Sequence, residues 1–132
     1  MKDGSVTNVI VTSENVTIEH SLCSGLVAVA ENSNVEECKV EADIVADNSL
    51  DPCAGIVGYA VDSKITRCYF SGSAKYNSNS GNSNFIPVAG IVGMARSKDI
   101  VECKNIGEIE YTRIYKFTKS GWRDSCIYSG WK

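Results

Sequence analysis

Histidine is almost absent from this 132-residue chain, which holds one, His20, and proline is scarce, with two. One imidazole cannot build a two-histidine zinc site, and the chain has no H-E-x-x-H pattern. His20 stands between Glu19 and Ser21 at a polar turn, where a solvent-facing role is expected rather than general-base work. Six cysteines are present without a C-x-x-C pair, which removes the zinc-knuckle and dithiol-redox patterns. No segment approaches the roughly 20 apolar residues of a membrane span. Helical periodicity with caps is missing, and so is a glycine-rich phosphate cradle leading into a helix. No metal or cofactor is therefore expected. Met1-Lys2-Asp3-Gly4-Ser5 has no apolar run behind its charge, so no export signal is expected there.

What the chain does have is an internal repeat. Cys23-Ser24-Gly25-Leu26-Val27-Ala28-Val29-Ala30 superimposes without a gap on Cys53-Ala54-Gly55-Ile56-Val57-Gly58-Tyr59-Ala60 and on Val88-Ala89-Gly90-Ile91-Val92-Gly93-Met94-Ala95. Fifteen residues after each first position stands Cys38, Cys68 or Cys103. Each unit alternates apolar and polar residues and then meets a polar turn, Asn32-Ser33-Asn34, Asp62-Ser63-Lys64 or Ser97-Lys98-Asp99. A second strand is predicted over Val35–Val40, Ile65–Phe70 and Ile100–Asn105, then a bend at Ala42, Gly72 and Gly107, then a third strand around Ile44-Val45-Ala46, Ala74-Lys75-Tyr76 and Ile109-Glu110-Tyr111. Gly4–Val11 matches the second half of a unit, with Val9 at the cysteine position. Repeats of this length imply stacking, because one unit cannot bury its own apolar face. The expected fold is all-β, a short parallel β-solenoid of about four coils over residues 1–110 with an atypical C-terminal cap or contact arm at 111–132.

Leu26/Ile56/Ile91, Val35/Ile65/Ile100 and Cys38/Cys68/Cys103 are the expected interior ladders, with the thiols buried and reduced. Val27/Val57/Val92 and Val29/Tyr59/Met94 are then expected to point outward, and Lys39/Tyr69/Lys104 to form an outward cation and aromatic row beside them. Glu37, Arg67 and Glu102 read as an alternating ladder of charge. Lys75–Asn84 reads as a polar looped-out excursion. Charge is uneven: residues 1–110 carry 15 acids against 8 bases, whereas 111–132 carry five bases against Asp124 and hold six of the eleven aromatics. Arg113, Lys116 and Trp122 in that tail are candidate contact residues alongside Tyr59, Met94, Tyr69, Lys104 and Lys39. The duller reading of the tail is an amphipathic strand whose aromatics plug the open end.

Ala54-Gly55-Ile56-Val57-Gly58-Tyr59-Ala60, followed by Ser63 through Gly72, resembles the GLUG-type repeat, a G-[LI]-V-G-x strand and then an I-x-x-C-[YF]-x-x-G strand. Ala89–Met94 with Ile100–Gly107 is a second match. The first unit departs from it, with Ala28 where the others have Gly58 and Gly93, and Ala42 where they have Gly72 and Gly107. The resemblance covers residues about 4–110. It implies a non-catalytic stalk or interaction module of the sort found in bacterial surface and secreted proteins, including immunoglobulin A-directed peptidases and adhesin-like proteins. Parallel β-helices also host carbohydrate-active enzymes through grouped carboxylates, but Glu36, Asp43, Asp47 and Asp51 lie in one coil without stacked acidic partners. The expected role is therefore non-enzymatic binding. A protein is the favoured partner, a glycan the second candidate and nucleic acid disfavoured by the acidic body. The alternative is a small free-standing cytoplasmic or phage-encoded inhibitor that blocks a protein or nucleic-acid partner. Localisation follows that choice: secreted or surface-bound for a piece of a longer protein, cytoplasmic for a complete one.

Overall fold

The structure, a computed structural model, describes residues 1–19, 22–47, 51–78, 86–96, 99–114 and 125–130. Every regular element among them is a β-strand. The N-terminal segment supplies β1 (Ser5–Thr7) and β2 (Ile10–Glu19). The first repeat supplies β3 (Cys23–Ser24), β4 (Val27–Glu31), β5 (Asn34–Glu36) and β6 (Lys39–Asp47). The second supplies β7 (Cys53–Ala54), β8 (Val57–Val61), β9 (Lys64–Thr66), β10 (Tyr69–Phe70) and β11 (Ser73–Ser78). The third supplies β12 (Val88–Ala89), β13 (Val92–Arg96), β14 (Asp99–Val101), β15 (Lys104–Asn105) and β16 (Glu108–Ile114), and β17 (Ser125–Gly130) follows.

Each repeat gives one strand, or a consecutive pair, to each of four sheets, ordered β3-β7-β12, β4-β8-β13, β1-β5-β9-β14, and a larger one in which β2 pairs β6, β6 pairs β10 and β11, and these pair β15 and β16. All these pairings are parallel and place repeat-equivalent residues side by side, as in Val35 against Ile65 and Ile65 against Ile100. Ser5, Val6 and Thr7 pair Asn34, Val35 and Glu36, which confirms that the N-terminal segment enters as the second half of a unit. Among the described residues one pairing is antiparallel, that of β17 along β16. Parallel sheets with apolar side chains on one face fit the short alternating strands of the sequence.

Corners separate the strands, and non-glycine residues in the left-handed region make them. Asp3, Asn32 and Asp62 form one such column, and Asn8, Glu37, Arg67 and Glu102 another. Asparagine and aspartate tolerate this conformation because their short polar side chains bond locally. The second column corrects a sequence expectation: the predicted second strand is two strands, broken at Glu37-Cys38 and at Arg67-Cys68. At the first corner Ser33 and Ser63 are buried yet satisfied. Ser33 Oγ donates to Glu31 O at 2.7 Å, Ser63 Oγ donates to Val61 O at 2.8 Å and accepts Ser33 N–H at 3.1 Å.

The core holds Cys23, Val35, Val40, Ile44, Ile56, Ile65, Phe70 and Tyr76 among its buried members. Val27 and Val57 are buried too, contrary to the outward placement expected of them. The reason is the bend at Gly25-Leu26 and Gly55-Ile56. It interrupts the alternation, so Ile56 and Val57 both face the interior. A second correction concerns Lys75–Asn84: β11 runs through Ser78, Tyr76 is buried, and its ring stacks on Tyr111 with centroids 5.0 Å apart. Alternation carries Ala74 and Tyr76 inward while Lys75 and Asn77 stay outside; residues 79–85 lie outside the described residues. The bend expected at Ala42 is also missing, since β6 passes through it without a break. Gly72 does mark a bend, at φ +152°, where a Cβ would lie 2.2 Å from Ala42 O.

Candidate functional site

Two outward rows were expected to form one contact face. Val29, Tyr59 and Met94 stand in register on β4, β8 and β13. Val29 is 39% and Met94 44% exposed, with Tyr59 half-buried between them. Two apolar side chains and one phenol ring thus make a short ridge across three strands. The backbone beneath it is tight: a Cβ on Gly58 would sit 2.7 Å from Ala28 O, and one on Gly93 2.8 Å from Gly58 O. Ala28 departs from the repeat without penalty because β4 ends its sheet.

Lys39, Tyr69 and Lys104 stand in register on β6, β10 and β15. Ile10 of β2 pairs Lys39 and extends the row. The Lys39 ammonium lies 5.5 Å from the Tyr69 ring centroid and is ion-paired to Glu41, whose hydrogen bond raises the lysine pKa. Lys104 is exposed and has no ion pair among the described residues. A ring between two cations suits an anionic or aromatic group of a partner.

The rows stand on different sheets, and the β5-β9-β14 sheet separates them along the chain. Between them in sequence, the Arg67 guanidinium bonds Glu37 through Nε at 3.2 Å and Nη2 at 2.9 Å, and also pairs with Glu36. Arg67 reaches back to the first repeat, and Glu102 forms no ion pair with it, so the three-member charge ladder is a single clamp.

The cysteine column is as drawn from sequence in position. Cys38 and Cys68 are buried, and Cys103 is half-buried. Each thiol donates to the carbonyl two residues before it, Glu36, Thr66 or Val101, at 3.2 to 3.4 Å. Burial pushes the Cys68 thiol up to about 11. Cys23, Cys38, Cys53, Cys68 and Cys103 are all unbridged, and no group of three or more His, Cys, Asp and Glu among the described residues is placed to hold a metal ion.

Arg113 lies on β16 and pairs Cys126 of β17 in the backbone register, while Lys116 and Trp122 lie outside the described residues. One surface was missed. Ile100, read as interior, is 47% exposed, and Ile106 is 58% exposed. They belong to the third repeat, where β13, β14 and β15 each end their sheets among the described residues. The sequence signal was available: an interior column is covered by strands on both sides, and Ile100 has a register partner on one side alone among the described residues.

No protein-family model, no curated protein and no solved structure matches this chain.

Proposed function

We infer that the chain is a non-enzymatic protein-interaction module, a short parallel β-solenoid akin to the GLUG-type repeat and belonging to a bacterial surface or secreted protein. One observation carries this reading. Repeat-equivalent side chains stand in register across parallel strands in all four sheets, so every outward position becomes a row and the rows are what a partner meets. The Val29/Tyr59/Met94 ridge is the first contact surface, because its exposed apolar area is contiguous and its backbone is held rigidly by close carbonyl packing. The Lys39/Tyr69/Lys104 row is the second, and β17 is a cap on the edge of β16. A protein partner fits the ridge better than a glycan does, since sugars are recognised through many hydrogen-bond donors and acceptors and the ridge offers the Tyr59 hydroxyl alone between two apolar side chains.

The test is capture on immobilised chain followed by mass spectrometry, with wild type, the double variant Tyr59→Ser/Met94→Ser and the variant Lys104→Ala run together. A partner retained by wild type and Lys104→Ala but lost from the double variant is the expected result. Lys104 and Met94 are exposed, where substitutions move stability by less than about 0.5 kcal/mol, whereas Tyr59 is half-buried, so the melting of each variant is measured beside its capture. Equal capture by the double variant removes the ridge from the binding surface.

A further inference from the structure

Cys23 and Cys53 are the only described thiols that stack as a complete pair. They are direct register partners on the parallel strands β3 and β7, both are fully buried, and the third repeat has Val88 in their column. Neighbouring strands lie about 4.8 Å apart, inside the Cα separation that a disulfide spans. The two thiols are free and within hydrogen-bond reach of each other. Backbone bonds hold the strands on either side, Cys23 N–H to Pro52 O at 3.2 Å and Gly25 N–H to Gly55 O at 3.1 Å. The second column has three members, which cannot pair completely, and each of its thiols also donates to the backbone carbonyl two residues before it.

We propose that Cys23 and Cys53 are a redox modification site, converted by hydrogen peroxide into a disulfide that ties the first repeat to the second. The Cys23 sulfur attacks one peroxide oxygen and the O–O bond breaks; the departing hydroxide takes the thiol proton as water and leaves Cys23 as a sulfenic acid. The Cys53 sulfur then attacks the Cys23 sulfur, the S–O bond breaks, and the hydroxyl leaves with the Cys53 proton as a second water. Two thiols and one peroxide give one disulfide and two waters, with two electrons passing to the peroxide. Cys23 is the first to react because β3 ends its sheet and is two residues long, so little pairing must open to admit the oxidant. The hydrogen bond with the Cys53 thiol lowers the Cys23 pKa, and that same bond together with burial raises that of Cys53, in keeping with first attack by the thiol at the sheet edge.

The experiment treats the folded full-length chain with equimolar hydrogen peroxide, alkylates the remaining thiols in denaturant, digests after lysine and glutamate, and reads the peptides by mass. The expected product joins the Cys23 and Cys53 peptides and is lighter by two hydrogens. Its thermal midpoint rises by roughly 5 °C or more, as a closed 30-residue loop should give, and a phosphine reductant reverses the rise. In Cys23→Ala, Cys53 should stay alkylatable after the same treatment. A Cys68–Cys103 link as the main product, Cys23 ending as sulfinic acid, or Cys23 and Cys53 both still free when Cys103 has oxidised would each overturn the proposal.

Discussion

Phe70 occupies the most demanding position in the core, and its replacement should show how unevenly one column of the repeat contributes. Its ring is fully buried and lies between two glycines: a Cβ on Gly55 would sit 2.3 Å from Phe70 Cδ2, and one on Gly107 2.6 Å from Phe70 Cε1. The space has been made by removing side chains from two repeats, so Phe70→Ala leaves a void that rigid backbone cannot fill. The cost should be about 3–5 kcal/mol, transfer and cavity together. Val40 holds the same place in the first repeat and is also fully buried; Val40→Ala removes two methyl-sized groups and should cost about 1.5–2 kcal/mol. Asn105 holds it in the third repeat, exposed, with one bond of 2.8 Å from Gly107 N–H to its Oδ1, so Asn105→Ala should cost no more than about 1 kcal/mol. Urea unfolding with a slope of about 2 kcal/mol per molar would place the three midpoints on the order of 2 M, 1 M and 0.5 M below the parent. Equal losses at the three positions would refute the reasoning, since they would mean that the ends of the stack are as well covered as its middle.

Gly72→Ala should destabilise by about 2 kcal/mol or more, because the new Cβ meets backbone 2.2 Å away at Ala42 O in a conformation L-residues rarely adopt; Ala42→Gly should cost about 1 kcal/mol or less. Stability should fall as pH rises from about 9 to about 11. The buried Cys68 thiol keeps its proton in the folded chain up to about 11 while the unfolded chain loses it near 9, so the folded state binds more protons in that window, and the decline should be shallower in Cys68→Ala. Truncation after Glu110 strips β17 and part of β16 and exposes the edge of β11 beyond it; size-exclusion chromatography should show association, and a stable monomer would contradict a capping role for β17.

The sequence disclosed the repeat, its polar turns, the strand class and the identity of the interior isoleucine and cysteine columns, because stacking forces equivalent residues into equivalent places. Periodicity alone failed where a corner interrupted it. Val57 follows Ile56 into the interior only because the chain bends at Gly55-Ile56, and a corner made by Glu37 or Arg67 carries no glycine or proline to announce it. Tyr76 was hidden among asparagine and serine, where composition outweighed a two-residue alternation. The two contact rows were legible as rows, but not their assignment to two sheets, since sequence spacing does not say which sheet a strand joins.

Among the described residues, strand pairing does not join neighbours within a repeat. Ser5 pairs Asn34, Cys23 pairs Cys53 and Val57 pairs Val92, so each parallel ladder bond closes a loop of about thirty residues before it returns any stability. Chains dominated by such distant pairings fold in milliseconds to seconds rather than microseconds. The first two repeats must find each other unaided, whereas the third docks on an existing template and closes loops at little added entropic cost, each doubling of length costing only about 0.6 kcal/mol. Growth should then run from a nucleus at β6 and β11 toward the ends, and the antiparallel pairing of β16 with β17, whose closest partners are Ile114 and Ser125, should lock last onto an edge that the rest of the molecule has already laid down.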